Sequence, residues 1–285
     1  MRLLATFDAW AGHVPSSMVL KIQHHREKRR YHNYLKRHPE ISDSIVDPGP
    51  IGPTEIILKT SIQDEKDIPI KLNPDFYFLS GCSMVYSMLR SLERCSFNFR
   101  NMKAVLELGC GSARLIRHLR CLQGVRLVGT DVKQDFVDWC RANIPGIEFY
   151  TNDLQPPLSF AEDDSFDFVF AHSVFTHIPL DIQDSWIKEI YRVLRPSGFL
   201  IVTVSGRNYG LQTLDHLSRK RLEQEGNLTL DATHSNASYS TRAIGSWDVY
   251  QSEEEILSVF GSTFHIHEVQ PGTHDLLVME KRLHT

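Results

Sequence analysis

The stretch Val105-Leu-Glu-Leu-Gly-Cys-Gly-Ser-Ala-Arg114, followed by Leu127-Val-Gly-Thr-Asp131, decides the fold. Residues 103 to 108 read as a buried strand, the glycines as a tight turn, 112 to 121 as a helix, and 125 to 130 as a second strand that runs into a carboxylate. Gly109 and Gly111 let the backbone turn sharply and let a ligand approach without a Cβ in the way. Asp131 follows at the separation expected of a carboxylate that meets both hydroxyls of a ribose. Together these are half of a nucleoside-binding α/β fold.

The charges around the glycines choose between two ligands. A dinucleotide site would use G-x-G-x-x-G and rest a pyrophosphate on the helix N-terminus. Counted from Gly109, the third glycine position holds Arg114, and Glu107 just before the loop would repel a pyrophosphate. The same carboxylate suits a cation. S-adenosyl-L-methionine offers an ammonium and a sulfonium as well as a ribose, so Glu107 and Asp131 match it better than NAD.

The block resembles motif I of the class I S-adenosylmethionine-dependent methyltransferases, an acidic residue and an apolar one followed by G-x-G-x-G. Ala113 stands where the last glycine would be. The likeness runs through residues 75 to 280. Asn152-Asp153-Leu154 falls where the family places its adenine-contacting turn, Phe166 to Ile178 resembles the fourth strand and its loop, and Val193 to Val204 the approach to the fifth. The resemblance implies a Rossmann-like, doubly wound sheet of seven mostly parallel strands with an antiparallel last strand. It also implies cofactor contacts at Glu107, Gly109, Gly111, Asp131, Val132, Asn152, Asp153, Leu154 and Ser173. Ser173-Val-Phe-Thr-His-Ile178 and Asp275-Leu276 narrow the likeness to methyltransferases of small molecules, natural products or glycans.

Composition sets outer bounds. The chain has 285 residues, 41% of them hydrophobic, enough for one substantial core with additional elements. A net charge of −4 provides no overall basic field for a phosphate backbone, so nucleic acid is not the expected partner. The five cysteines form no C-x-x-C pair and are odd in number, as suits reduced thiols in a cytoplasmic enzyme. The opening residues, Met1 to Asp8, lack a long apolar core and read as neither a signal peptide nor a membrane span. The glycosylation triplets at Asn227 and Asn236 are then silent.

Along the chain, Lys21 to His38 is basic and reads as a solvated helical face, with a polyanion or membrane surface and an oligomer contact as the other readings. Asp47-Pro-Gly-Pro-Ile-Gly-Pro53 breaks any helix, so residues 1–53 are an extension and linker and 54–285 the catalytic domain. Further strands are expected near 147 to 150, 166 to 171 and 198 to 204, and helices near 133 to 143 and 181 to 194. Ser252-Glu-Glu-Glu255 is a capping box. Thr263 to Val269 and His274 to Glu280 form an antiparallel hairpin. Residues 205–250 are too long for a simple connection after the fifth strand and read as a lid or acceptor-binding insertion.

Methyl transfer from a sulfonium needs alignment and exclusion of water, and a hydroxyl acceptor must also lose its proton. His172 and His177 sit at the carboxyl edge of the sheet and are the candidate bases, with bracing of the cofactor loop as the structural alternative for His177. His265 and His267 share a strand face, but no third ligand accompanies them, and no metal is assigned. Ala171-His172-Ser173 lacks the carboxylate of the metal-dependent catechol type and the N/D-P-P-Y/F motif of base methylases. Tyr209, His234, Tyr239 and Trp247 could stack on an acceptor or build a satellite core. The expected function is transfer to oxygen on a small-molecule or glycan acceptor. The rival classes are a cofactor-binding protein without turnover, an N-methyltransferase and, disfavoured by Glu107 and Arg114, an NAD-dependent reductase.

Overall fold

The computed structural model describes residues 16–39, 74–231 and 247–282. The Pro/Gly cluster at 47–53, the domain start at 54, His234, Asn236 and Tyr239 lie outside them. Two helices come first, α1 (Ser16–Arg37) and α2 (Pro74–Arg94). The alternating part follows as β1 (Ala104–Leu108), β2 (Arg126–Asp131), α3 (Gln134–Asn143), β3 (Glu148–Thr151), β4 (Phe166–Ala171), α4 (Leu180–Val193) and β5 (Leu194–Val204). An insertion contributes α5 (Arg207–Thr213), α6 (His216–Glu225), β6 (Asn227–Asp231) and β7 (Trp247–Gln251). The chain then closes with α7 (Glu253–Gly261), β8 (Phe264–Gln270) and β9 (Asp275–Lys281).

Seven strands form one sheet in the order β3-β2-β1-β4-β5-β9-β8. The first five are parallel, and β9 runs antiparallel to β5 and to β8. The sheet is buried on both faces because its central strands are apolar at nearly every position, as parallel strands under helices must be. Alternation divides the core in two. Val105, Phe168, Phe170 and Ile201 face α1, α2 and α3, whereas Leu106, Val169, Leu200 and Val202 face α4 and α7 through Trp186, Ile190 and Phe260. Ser252 Oγ caps α7 by accepting from the Glu255 N–H at 3.1 Å, as the capping-box pattern requires.

Two expectations change. The segment after the glycines is a run of turns at 111–115 followed by a 3-10 helix, Ile116–Cys121, and not an α-helix over 112 to 121. Ala113 lies at φ 57, outside the helical region, and the Arg117 side chain takes the Ser112 and Ala113 carbonyls that an α-helical ladder would use. The basic N-terminal stretch is also more than a solvated face. Tyr31, Tyr34 and Leu35, spaced three and four apart along α1, are buried against α2, and Tyr34 meets Tyr86 edge-on at 5.7 Å. Tyr31 Oη donates to the His118 carbonyl at 2.6 Å and so ties α1 to the 3-10 helix.

Among the described residues no helix is long and apolar enough to cross a membrane. None of the five cysteines is in a disulfide. The insertion builds a small core of its own from Leu214, Leu222, Leu228 and Tyr250, with Tyr209 packed against it.

The closest approach of α2 to the glycine loop sets a stability test. A Cβ built on Gly81 would stand 2.3 Å from the Arg114 carbonyl oxygen, a backbone atom that cannot swing away. Gly81→Ala should therefore cost about 1–3 kcal/mol by overpacking, read as a lowered denaturant midpoint with an unchanged slope. A midpoint equal to the parent's would show that α2 does not seat on this loop.

Candidate active site

The chain leaves β1 through three left-handed residues within five positions, Gly109 at φ 69, Gly111 at 52 and Ala113 at 57. The two glycines serve different ends. A Cβ on Gly109 would meet Val174 Cγ2 at 2.4 Å, so this glycine lets the loop after β4 pack directly on the turn. A Cβ on Gly111 would meet nothing within 4 Å, so open space lies over the second glycine. That space is where a ligand can reach the backbone.

Two carboxylates stand under it. Glu107, on β1, is 2% exposed, and its Oε2 accepts from the Ile116 N–H at 3.0 Å. Burial, aided by the nearby charge of Asp131, pushes its carboxyl up to about 8 against the opposing pull of the Ile116 N–H and Arg114. Asp131 ends β2. Its Oδ2 accepts from the Gly111 N–H at 2.8 Å and its Oδ1 from the Lys133 N–H at 2.9 Å, so one side chain ties the glycine loop to the turn after β2. Burial raises the Asp131 carboxyl too, while these two N–H groups pull it down.

Beyond β3 the chain returns to the same rim. The Asn152 N–H donates to the Asp131 carbonyl at 3.1 Å, and Thr130 Oγ1 donates to Asn152 Oδ1 at 2.8 Å. Val132 is half-buried, Asp153 is exposed, and Leu154 leaves a large apolar side chain 36% exposed while its carbonyl accepts from Trp186 Nε1 at 2.9 Å. Glu107, Gly109, Gly111, Asp131, Val132, Asn152, Asp153 and Leu154 thus gather at the carboxyl ends of β1, β2 and β3. Ser173 joins from β4, left-handed at φ 56, with its N–H on Thr203 Oγ1 at 2.7 Å.

The two candidate histidines are in unlike surroundings. His172 Nδ1 lies 3.4 Å from Arg114 Nη2 and 3.1 Å from Ser173 Oγ. A guanidinium can only donate, so Nδ1 is the acceptor and Nε2 carries the proton of the neutral ring. Burial first, then the charges of Arg114 and His274, push His172 down to about 3. His177 shows the reverse tautomer. Its Nδ1 lies 2.8 Å from the Trp247 carbonyl, which can only accept, so Nδ1 is protonated and Nε2 carries the lone pair. Asp248 Oδ1 is 3.6 Å from the same Nδ1.

Sequence reasoning missed Asp248, His274 and the Arg114–Ser80 contact of 3.1 Å. Asp248 and His274 are about 70 and 100 residues from His177 in the chain, and only the topology brings them together. Asp275 Oδ1 accepts from the Gly272 N–H at 3.1 Å in the turn before β9. His265 and His267 meet ring to ring at 4.5 Å on the edge strand β8, and His267 Nε2 pairs with Glu280 at 2.8 Å.

Comparison with known proteins agrees with this geometry. Residues 106–202 match the family described as "Methyltransferase domain". A fatty-acid O-methyltransferase of Mycolicibacterium smegmatis is 34% identical over 113 residues, which are 38% of this chain and 39% of that protein. A tRNA N(3)-methylcytidine methyltransferase of Schizosaccharomyces pombe is 23% identical over 197 residues, 63% of this chain and 56% of that one. The chain thus spans about two fifths and somewhat over half of these curated relatives. The crystal structure of a SAM-dependent methyltransferase from Methanosarcina mazei superposes with a TM-score of 0.50 at 21% identity, covering 64% of this chain and 94% of that one. Residues 106–202 are thus similar to a methyltransferase domain, and the sheet shares the fold of a SAM-dependent methyltransferase.

Proposed function

We propose that the protein transfers a methyl group from S-adenosylmethionine to an oxygen atom of a small-molecule or glycan acceptor. The observation that carries this reading is the acidic rim: Asp131 joins the glycine loop to the turn after β2 beside open space over Gly111. The donor set fits the cofactor. Each Asp131 oxygen keeps a lone pair for a ribose hydroxyl after accepting its backbone N–H. Val132 and Leu154 would give apolar surface to the adenine, Asn152 and Asp153 polar edges, and Ser173 a further polar contact. Glu107 would offset the ligand's positive charge. When bound, S-adenosylmethionine supplies an activated methyl group on a sulfonium.

The protein's part is then to bind, to align and to accept a proton. His172 is poorly suited to the last task, because its lone pair is already directed at Arg114 and its surroundings oppose a second proton. That leaves His177 as the candidate base. The fatty-acid O-methyltransferase among the similar proteins supports oxygen as the receiving atom. The insertion supports acceptor selection, since it rises beside His177 and carries Tyr209 against His274 at 4.7 Å. A cytoplasmic location belongs to the same proposal, supported by five cysteines outside any disulfide.

The direct test is to incubate the protein with methyl-labelled donor and fractionated cell extract, then locate the label by mass spectrometry. Label on oxygen of a small molecule or glycan is the expected result. Label on a nucleic acid base, or on nitrogen or carbon, would overturn it. In parallel, Asp131→Asn should weaken donor binding by about 1–3 kcal/mol by calorimetry, because one oxygen can no longer accept.

Glu107 gives a pH-dependent prediction. A carboxyl raised from 4.5 to about 8 is protonated in the ligand-free protein at neutral pH, and an incoming cation favours its ionised form. Donor binding near neutral pH should therefore release close to one proton, measured by calorimetry in buffers of different ionisation heat, and Glu107→Gln should abolish the release. Binding should tighten as pH rises toward about 8, where the donor's own amino group begins to lose its proton. The sign for folding is the opposite. The folded state holds the Glu107 proton more tightly than the unfolded chain between 4.5 and about 8, so stability falls as pH rises through that window. Ligand-free Glu107→Gln should then melt above the parent at about pH 8–9 and close to it at about pH 5.

A further inference from the structure

Strand β7 belongs to the insertion, yet it is fastened to the catalytic edge of the main sheet at three points. Its Val249 N–H donates to the Thr176 carbonyl at 2.9 Å, its Trp247 carbonyl accepts from His177 Nδ1 at 2.8 Å, and its Gln251 N–H donates to the Ser205 carbonyl at 3.0 Å. From the other side Gln183 Nε2 donates to the Phe175 and Ile178 carbonyls at 3.1 and 2.9 Å and holds both ends of the same loop. His177 is therefore clamped between the post-β4 loop and β7. The two ring nitrogens of an imidazole lie on opposite sides, so with Nδ1 turned to β7, Nε2 is turned away from it.

From these contacts we infer that Asp248 is a positioning residue for His177, forming with it a proton-accepting pair, and that the acceptor presents a neutral hydroxyl rather than a carboxylate. The inference rests on the O-methyltransferase reading above. A carboxylate oxygen carries no proton to remove, and a site for it would gain nothing from an imidazole held with its Nε2 lone pair outward and a carboxylate behind it. With a hydroxyl, the acceptor oxygen forms the new O–C bond to the donor methyl carbon and the C–S bond breaks. Its electron pair stays on sulfur as a neutral thioether, and the O–H proton passes to His177 Nε2. The resulting imidazolium has Asp248 Oδ1 3.6 Å from Nδ1 to balance it.

Among the described residues, three titratable groups stand near His177. Asp248 reaches it from β7, His274 from the turn before β9, and Tyr209 from α5 through its contact with His274. Burial, and the nearness of His177, push His274 down against the opposing pull of Asp248. Burial and the charge of Asp248 push the Tyr209 hydroxyl up, so it holds its own proton. Farther out, Arg114 faces His172 and not His177.

The test follows the imidazoles by nitrogen-15 and carbon-13 NMR on the histidine-labelled full chain, with His177→Gln to assign the signal. The parent should show His177 with a protonated Nδ1 and a bare Nε2. In Asp248→Asn the share of His177 rings protonated at Nδ1 should fall, and Asp248→Glu should restore most of it. A bare Nδ1 in the parent, or a tautomer that Asp248→Asn leaves unchanged, would overturn the pair without touching donor binding, which calorimetry measures separately. Once the labelled product is identified, an ether whose formation slows in Asp248→Asn would support the hydroxyl assignment. A methyl ester made equally fast by His177→Gln would overturn it.

Discussion

Two carboxylates that are buried, and cannot be buried alone, govern this molecule. Glu107 stands one residue before the end of β1 and Asp131 ends the adjacent parallel β2, and each ionised form would cost several kcal/mol if buried without partners. The fold answers with backbone N–H groups. Ile116 serves Glu107, and Gly111 and Lys133 serve Asp131. Those three donors come from segments that must curl back over the strand ends. The left-handed turn at Gly109, Gly111 and Ala113, and the 3-10 helix after it, follow from that demand. The compensation is incomplete, as the high value of Glu107 shows. A cation placed over the loop would complete it, because an incoming positive charge favours the ionised carboxylate.

The insertion takes part in the same economy of edges. A two-stranded sheet is marginal in isolation. Here β6 and β7 are held by a small core around Tyr250 and by the backbone bonds of β7 to Thr176 and Ser205. Docking so close to the carboxyl ends of β4 and β5 places Trp247 and Asp248 beside His177. The first and last parts of the insertion are thus packed together around Tyr250 and bonded to the segments that follow β4 and β5.

The sheet was legible because parallel strands announce themselves as apolar runs, and β1, β2 and β4 fall where Val105, Leu127 and Phe166 place them. The gathering of Glu107, Gly109, Gly111 and Asp131 at the carboxyl edge was legible because these residues are local to the ends of β1 and β2. The helix after the glycines was misread for a stated reason: Leu115 to Leu122 has helical periodicity, but the first turn is set by a left-handed Ala113 and by Arg117 bonding backward to two carbonyls. Nothing in the periodicity carries that information. The buried side of α1 was hidden in the same way, because three apolar positions among many basic ones read as a charged helix until Tyr86 and His118 supply partners. Asp248 was invisible for want of any local signal, since its partner lies about 70 residues earlier in the loop after β4.

His172 and His177 show why residue type alone could not separate the candidates. They are five positions apart in one loop and both project from the carboxyl edge. Arg114 turns the lone pair of one toward a cation, and the Trp247 carbonyl turns the lone pair of the other away from the protein's own donors. A base needs a lone pair that is uncommitted before the acceptor arrives and a counter-charge that is present after the proton does. At His172 the charged neighbour is a cation, so protonation there adds repulsion. At His177 it is the carboxylate of Asp248, 3.6 Å from Nδ1. The difference lies in which segment arrives beside each ring, and so the unlike surroundings of the two histidines are a property of the topology.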